Sequence, residues 1–380
     1  MGINYHSDFI KAHAPNCYVE IPLENFRGKR IAIDISTIAY AMHSISIKEV
    51  VESTSLATEK PDRGRIERLA LDKIVAYLAV LLHYGITPVI IFDSEAHPLK
   101  KAGAKIKRSA SKATVKDKLK EAEDNLYNTD PLFRIQPLVE AYAKYYKQDS
   151  SVSLEFMIQL KDILSTVGFP CFSAADFKLE TSDAEGVCAA FCLSGNDYCV
   201  ATITNDSDYG PYAGDLAITE IYTKKVNKIS THFAKIRSLK LILEQSGLNF
   251  DQFRDLCILQ GTDFNPNIPN VGAKRSWDYI AKYGSIENMA QNGVNVAILN
   301  YQAVLKIFAS TIVKIDIPPP DFNQELFRVN GRSTFDLYNL RDHASNIADS
   351  LNKFPTPGGL MIEIISDEPN LESALATMTF

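Results

Sequence analysis

No run of apolar residues in this chain approaches bilayer-spanning length, and its opening, MGINYHSDFIKAHAP, holds no apolar signal region. Met1-Gly2 begins like a myristoylation signal, but His6 stands where that signal needs Ser or Thr. The six cysteines (Cys17, Cys171, Cys188, Cys192, Cys199 and Cys257) form no Cys-x-x-Cys pair and lie mostly in apolar runs. That argues against a zinc or dithiol centre and for buried free thiols in a reducing compartment. The patterns GxxxxGK[ST] and GxSxG are missing and the seven histidines are scattered, so P-loop and serine-nucleophile chemistry have no foothold. A formal net charge of −6 argues against a general polyanion binder, though a local basic surface is still allowed. A soluble, intracellular protein is expected, in nucleus or cytoplasm, without a membrane partner.

What the chain does have is a set of acids at the ends of apolar runs. Its 380 residues, 46% of them hydrophobic, suffice for a large core. Lys29-Arg-Ile-Ala-Ile-Asp-Ile35 and Thr87-Pro-Val-Ile-Ile-Phe-Asp93 read as strands buried on both faces, joined by a long helix from Ile66 to Tyr84. Each reaches an acid, Asp34 or Asp93, whose charge is costly there unless it is paired or bound to metal. A third strand, Tyr198 to Thr204, leads to Asp206 and Asp208, after a helix that starts at Asp183 and Glu185. In doubly wound α/β sheets ligands bind outside the carboxyl ends of the strands. Acids gathered there repel one another unless a cation sits between them, and Mg²⁺ suits such oxygen ligands. Other readings stand beside this one. Ser182-x-x-Glu185 is also a capping box, and Asp206 could cap a helix. Residues two apart do not share a helix face, so Asp183 and Glu185 converge only if one lies at the irregular helix start or acts through water. A calcium loop at Asp206 fails, because Pro211 stands where Gly is needed and Ala217 where the terminal Glu would be.

Between Lys100 and Lys120 the charge changes sign. Lys100, Lys101, Lys105, Lys107, Arg108, Lys112, Lys116, Lys118 and Lys120 face a single acid, Asp117. The run starts seven residues after Asp93, so contact with phosphate is expected. The helical excursion it opens continues to about Lys147, with Tyr127, Phe133, Tyr142, Tyr145 and Tyr146 read as packing residues. Further on, a helix is expected from Leu154 to Val167. Leu216–Tyr222 and Lys225–Ile229 read as a hairpin, and Phe233–Ser246 and Phe250–Leu259 as helices. The turn Asn265–Val271 then leads through Gly272 into a helix carrying Lys274 and Arg275 in its first turn. The helix dipole disfavours cations there, so an anionic guest is expected. Breaks fall at Ile317–Asp321 and Thr356–Gly359.

In order along the chain, the blocks RGKRIAIDISTIAY, GITPVIIFD followed by Leu99-Lys100, DAEGVCAAF, TNDSD and LQGTDFNPNIPNVGAKRSWDYIAKYGSIE resemble the flap endonuclease (XPG-like) family of structure-specific 5′ nucleases. The resemblance runs from Met1 to about Ile286. It implies an α/β fold: a PIN-like, mostly parallel central sheet flanked by helices, with a helical arch insertion and a helix–turn–helix that binds DNA. Residues 1–310 would form the nuclease domain, with the arch at about 98–150 and the helix–two-turn–helix at about 249–284. Residues 311–380 would be a divergent extension. The implied activity is metal-dependent hydrolysis of phosphodiesters at 5′ flaps or single-/double-strand junctions, in replication, repair or recombination. A Holliday-junction resolvase, a 5′ exonuclease, or a catalytically inactive junction-binding module are the alternatives.

Carried over residue by residue, Asp34, Asp93, Asp183, Glu185, Asp206, Asp208 and Asp263 would hold two Mg²⁺ ions, with Mn²⁺ as a substitute. Asp34, Asp93 and Glu185 would lie near one ion, and Asp206, Asp208 and Asp263 nearer the other. Lys100 and Lys107, or its neighbour Arg108, match the residues that polarise the scissile phosphate. Tyr40 matches the residue on which the adjacent base stacks, and Gly2 matches the processed terminus that lies close to DNA. Gly272, Lys274 and Arg275 would contact the duplex. Asn267, Ile268 and Val271 match a turn whose carbonyls and side chain hold K⁺ against a phosphate. Asp183 replaces the usual Glu, Ser94 stands where Gly follows the second strand's Asp, and the loop Ala174–Thr181 is longer than usual. The tail lacks a Q-x-x-h-x-x-aromatic-aromatic motif, so sliding-clamp binding is not expected. A monomer acting on branched or flapped DNA is. The acidic balance and divergent tail would suit a member from a large DNA virus.

Overall fold

A computed structural model describes residues 2–54, 60–95, 97–193, 198–226, 228–312, 315–317, 321–338, 340 and 346–348; for 54, 101–113, 332 and 336 it describes the backbone alone. The break at Thr356–Gly359 and the tail that lacks the clamp motif lie outside these residues.

Seven strands form one mixed sheet in the order β1-β7-β6-β5-β2-β3-β4. They are β1 (Tyr18–Pro22), β2 (Arg30–Asp34), β3 (Thr87–Phe92), β4 (Cys171–Ser173), β5 (Ala201–Ile203), β6 (Leu216–Val226) and β7 (Ile229–Ser238). The pairings β4-β3, β3-β2, β2-β5 and β5-β6 are parallel, while β6-β7 and β7-β1 are antiparallel. Because β2, β3 and β5 run the same way, whatever follows each of them emerges at one edge of the sheet.

The parallel strands are apolar throughout because helices cover both faces. Ile31 and Ile33 of β2 point into one core with Ile90 and Phe92 of β3, under α2 (Ile35–Thr54), α3 (Arg63–His83) and α6 (Leu154–Thr166). Ala32, Val89 and Ile91 point into the other, with α1 (His6–His13), α7 (Ala184–Cys192) and the later helices. Fully burying each such Ile or Val contributes about 1.5–3 kcal/mol, so the two-sided core dominates the stability of the sheet.

The basic excursion is an antiparallel pair, α4 (Pro98–Tyr127) and α5 (Gln136–Asp149). Ala122, Leu126, Val139 and Tyr142 pack it against Ile47, Val50 and Val51 of α2 and Ile66 of α3 in a separate small core. Tyr127 meets Tyr142 edge to face and Tyr146 lies tilted against it, as expected of packing aromatics, whereas Phe133, expected to pack, is 73% exposed. Past α8 (Leu239–Ser246), α9 (Phe250–Gln260) and α10 (Ala273–Tyr283) make the helix–turn–helix, followed by α11 (Ile286–Gln291) and α12 (Tyr301–Ala309). The described residues after 321 return to the first core. Asn323 N–H donates to Gly168 O (2.7 Å), Phe322 packs on Phe169, and Phe327, Phe335, Leu340 and Ile347 are buried there.

One expectation is corrected here. Phe233–Ser238 is the second half of β7 rather than a helix, and of the expected strand Lys225–Ile229, Lys225 and Val226 end β6 while Ile229 begins β7. Ala234 and Ile236 are buried while Phe233 and Lys235 are less so, an alternation with period two. The partner that holds them extended is β1, paired Val19 to Ile236 and Ile21 to Ala234 from more than 200 residues away.

Candidate active site and nucleic-acid interface

Asp34 closes β2 and is buried. The register puts Ile33 beside Ile203 of β5, so the next residue along, Thr204, comes level with Asp34. Its Oγ1 donates to Asp34 Oδ2 (3.1 Å), as does Thr37 Oγ1 (2.6 Å), while Ser36 N–H donates to Oδ1 (3.1 Å). Asp93, one residue beyond β3, accepts from Ser36 Oγ (2.6 Å) and from Ala184 N–H (2.9 Å) at the start of α7. The same Thr204 hydroxyl accepts from Asp206 N–H (3.1 Å), which links two acids through one side chain.

Asp183 occupies the N-cap position of α7 and Glu185 its first turn, both buried. The irregular helix start lets them share the crevice despite their spacing. The capping box does not form: Ser182 Oγ accepts instead from His97 N–H (2.9 Å) at the entrance to α4. Asp206 caps no helix either; its Oδ1 accepts from Asp208 N–H (3.1 Å) within a turn. Asp208 is 1% exposed, and neither of its carboxylate oxygens has a hydrogen-bond partner. An orphaned carboxylate in such a place is expensive.

Lys100, in the first turn of α4, enters this group. Its Nζ lies 2.9 Å from Asp183 Oδ2 and 3.8 Å from Asp263 Oδ2. The electrostatics follow. Burial, then Asp93 and Asp206, raise the Asp34 carboxyl to about 7. Burial and neighbouring acids push Glu185 and Asp208 well above the carboxylate range, and burial raises Asp183 against the pull of Lys100. Burial opposes the charge on Lys100, but Glu185, Asp183 and Asp263 outweigh it and keep the ammonium protonated.

These residues fit a hard divalent cation. The donor set is all carboxylate oxygen, Asp208 lacks partners for both oxygens, and the lysine ammonium already stands in as a cation between Asp183 and Asp263. No three His, Cys, Asp or Glu side chains among the described residues close on one point as a finished ligand shell.

The remaining candidates divide. Tyr40 is 44% exposed on α2, six residues past Asp34, with its ring available to a partner. Gly2 adopts φ +92°, and a Cβ there would fall 2.1 Å from Asp206 Oδ1, so only glycine fits against the acid. Ile3 N–H donates to Ser207 Oγ (2.7 Å) and Asn4 N–H to Gly261 O (2.9 Å), fastening this end between the acid turn and the helix–turn–helix. Lys107 and Arg108 belong to α4, but their side chains lie outside the description. Gly272 is the N-cap of α10, Lys274 is exposed, and Arg275 Nη1 donates back to Asn270 O (3.0 Å).

Asn267, Ile268 and Val271 do come together, though not as an open cation site. Asn267 Nδ2 donates to Ile268 O (3.2 Å) and Val271 O (3.0 Å), so the carbonyls expected to hold K⁺ already have a donor.

Sequence reading missed the supporting shell. Ser36, Thr37 and Thr204 are hydroxyls next to acids in the chain, a signal that could have been used. Arg237 carried none: it is a buried residue near the end of β7, and its Nη2 donates to Asp206 O (2.7 Å) across 31 positions.

The XPG N-terminal domain matches residues 1–115 and the XPG I-region residues 169–263. Flap endonuclease 1 of Entamoeba histolytica is 31% identical over 299 residues, spanning 77% of this chain and 70% of that protein. This chain belongs to the flap endonuclease (XPG-like) family. The mouse family member, flap endonuclease 1, is 28% identical over 291 residues, spanning 77% of this chain and 68% of its own. Two solved structures share the family fold. The catalytic core of Rad2 in complex with DNA substrate superposes with a TM-score of 0.54 at 17% identity, covering 92% of this chain and 99% of that one. Flap endonuclease-1 from Methanococcus jannaschii gives 0.51 at 19% identity, covering 88% and 96%.

Proposed function

We propose that this chain is a divalent-metal-dependent nuclease that hydrolyses phosphodiesters in DNA at 5′ flaps or single-/double-strand junctions. The reading rests above all on the crevice at the carboxyl ends of β2, β3 and β5. Seven acids from five separate segments face it, one with both oxygens unpartnered, and among the described residues the Lys100 ammonium lies between two of them. An inactive binding scaffold has no physical use for so much buried like charge. Family membership and the names of the relatives supply the substrate class.

Divalent ions held by these acids would supply an activated water near neutral pH and neutralise the leaving oxygen. The chain's own residues do the rest. Ser36, Thr37 and Thr204 fix the rotamers of Asp34 and Asp93, so those carboxylates are aimed before anything binds. Lys100 can exchange its acids for a phosphate oxygen once cations neutralise the crevice, which brings a positive charge to the transition state. Tyr40 offers an exposed ring on which a base can stack. Lys274 and the N–H groups at the start of α10 grip duplex phosphate.

The test is cleavage by purified protein of flapped, nicked, blunt and four-way DNA with Mg²⁺. Fastest cleavage of the flap is expected. Failure to cut any of the four would overturn the enzyme reading, and preference for the four-way junction would move the substrate to that class.

A further inference from the structure

The turn between α9 and α10 is satisfied from within by two asparagines. Asn265, buried, donates through Nδ2 to Ile258 O (2.8 Å) and Pro266 O (3.0 Å), and its Oδ1 accepts from Thr262 Oγ1 (2.8 Å). Asn267 does the same for the next two carbonyls, those of Ile268 and Val271. A primary amide nitrogen has two hydrogens and no free lone pair. Both hydrogens of Asn267 are therefore committed.

The neighbours also decide which way this amide points. Turned over, Asn267 would set Oδ1 against two carbonyl oxygens, three acceptors facing one another with no proton among them. Only a cation could stabilise that arrangement, and it would do so where the N–H₂ group now lies. Amide nitrogen and K⁺ thus compete for one place. The nitrogen arrives covalently attached, without the translational entropy that a free ion loses on binding.

We propose that this chain closes its helix–turn–helix with the Asn267 amide in the place that the family resemblance assigns to K⁺, so that its grip on duplex DNA is indifferent to which alkali cation is present. The inference rests on reading α9–α10 as the duplex-binding element. Asn267→Ser removes the amide and leaves a shorter hydroxyl that cannot bridge both carbonyls. It should turn the same carbonyls into a cation site.

Two measurements on the full chain test this, with EDTA present and KCl, NaCl and LiCl compared at equal ionic strength. The first is the melting temperature without DNA. Wild type should melt alike in all three salts, and Asn267→Ser should melt lower in LiCl and recover as KCl is added. The second is anisotropy of a labelled flapped duplex. The wild-type Kd should vary by less than about twofold between salts, and the variant should bind about fivefold or more tighter in KCl than in LiCl. Wild type that melts higher and binds several-fold tighter in KCl overturns the inference, as does a variant as salt-indifferent as wild type in both measurements. Wild type that binds no duplex in any salt overturns the duplex reading instead, and the melting curves alone then decide the role of Asn267.

Discussion

The acid crevice and the helix–turn–helix lie on either side of the fastened N-terminus, and they treat polar groups in opposite ways. In the crevice, Asp208 has no partner for either oxygen, and Asp34, Asp183, Glu185 and Asp208 are all raised by burial. In the turn and the end of α9, the carbonyls of Ile258, Pro266, Ile268, Asn270 and Val271 each accept from a side chain. A surface that grips a repeating, rigid ligand gains from being complete in advance. A site that takes up cations fixes some carboxylates in advance, as Asp34 and Asp93 are, and leaves others unpartnered for the cation, as Asp208 is. The contrast separates chemistry from grip within one small region.

The sharpest way to break that contrast is to remove one charge from the crevice. Asp206→Asn should abolish flap cleavage, falling by more than about 100-fold, since even outer-shell changes around a metal cost about 10–100-fold. Affinity for flapped duplex should stay near wild type, because the grip lies in the turn. A parallel loss of affinity would show that the two regions are not separable.

Lys100→Ala comes next. As the ammonium that stands between Asp183 and Asp263, it should when lost lower the melting temperature in EDTA and enlarge the gain on adding Mg²⁺. As a group that meets phosphate, it should also cost about 10²–10³-fold in single-turnover rate, with little change in affinity. A rate loss without the altered Mg²⁺ response would confine Lys100 to the phosphate role.

Much of this was legible in the sequence, and the reason is directional. β2 and β3 are apolar on both faces and end in acids, so a local pattern was enough to find them and to set Asp34 and Asp93 at one edge. The family blocks supplied the other acids. What could not be read was whatever depends on pairing across long separations. β7 was half mistaken for a helix because β1, its partner, lies near the other end of the chain. Lys100 pairs with acids 83 and 163 positions away, so its run of neighbouring lysines suggested only phosphate. The link from Thr204 to Asp34 depends on the β2-β5 register, which no short window contains.

That link gives a third, smaller test. Thr204→Val keeps shape but removes the hydroxyl that donates to Asp34 and accepts from Asp206 N–H. Activity and Mg²⁺ affinity should both fall by about 10-fold or somewhat more. Loss of melting temperature with unchanged Mg²⁺ affinity would make the hydroxyl merely structural.

The smallest effect belongs to the turn. Lys274→Ala with Arg275→Ala should reduce the slope of log Kd against log salt by about one to two units, at nearly unchanged turnover on saturating DNA. Lys274 should account for more of it than Arg275, whose guanidinium is partly spent on Asn270 O. An unchanged slope would remove α10 from the interface.

The central claim, that the buried acids are ligands for divalent cations rather than structural groups, is tested most directly at Asp208. Its two oxygens are unpartnered, so Asp208→Asn removes charge without breaking a hydrogen bond of the carboxylate. Thermal melting of wild type and variant in EDTA and in Mg²⁺ reads the answer. The account predicts a variant that melts at or above wild type in EDTA and gains clearly less from Mg²⁺. A variant that melts lower in EDTA and responds to Mg²⁺ as wild type does would contradict it.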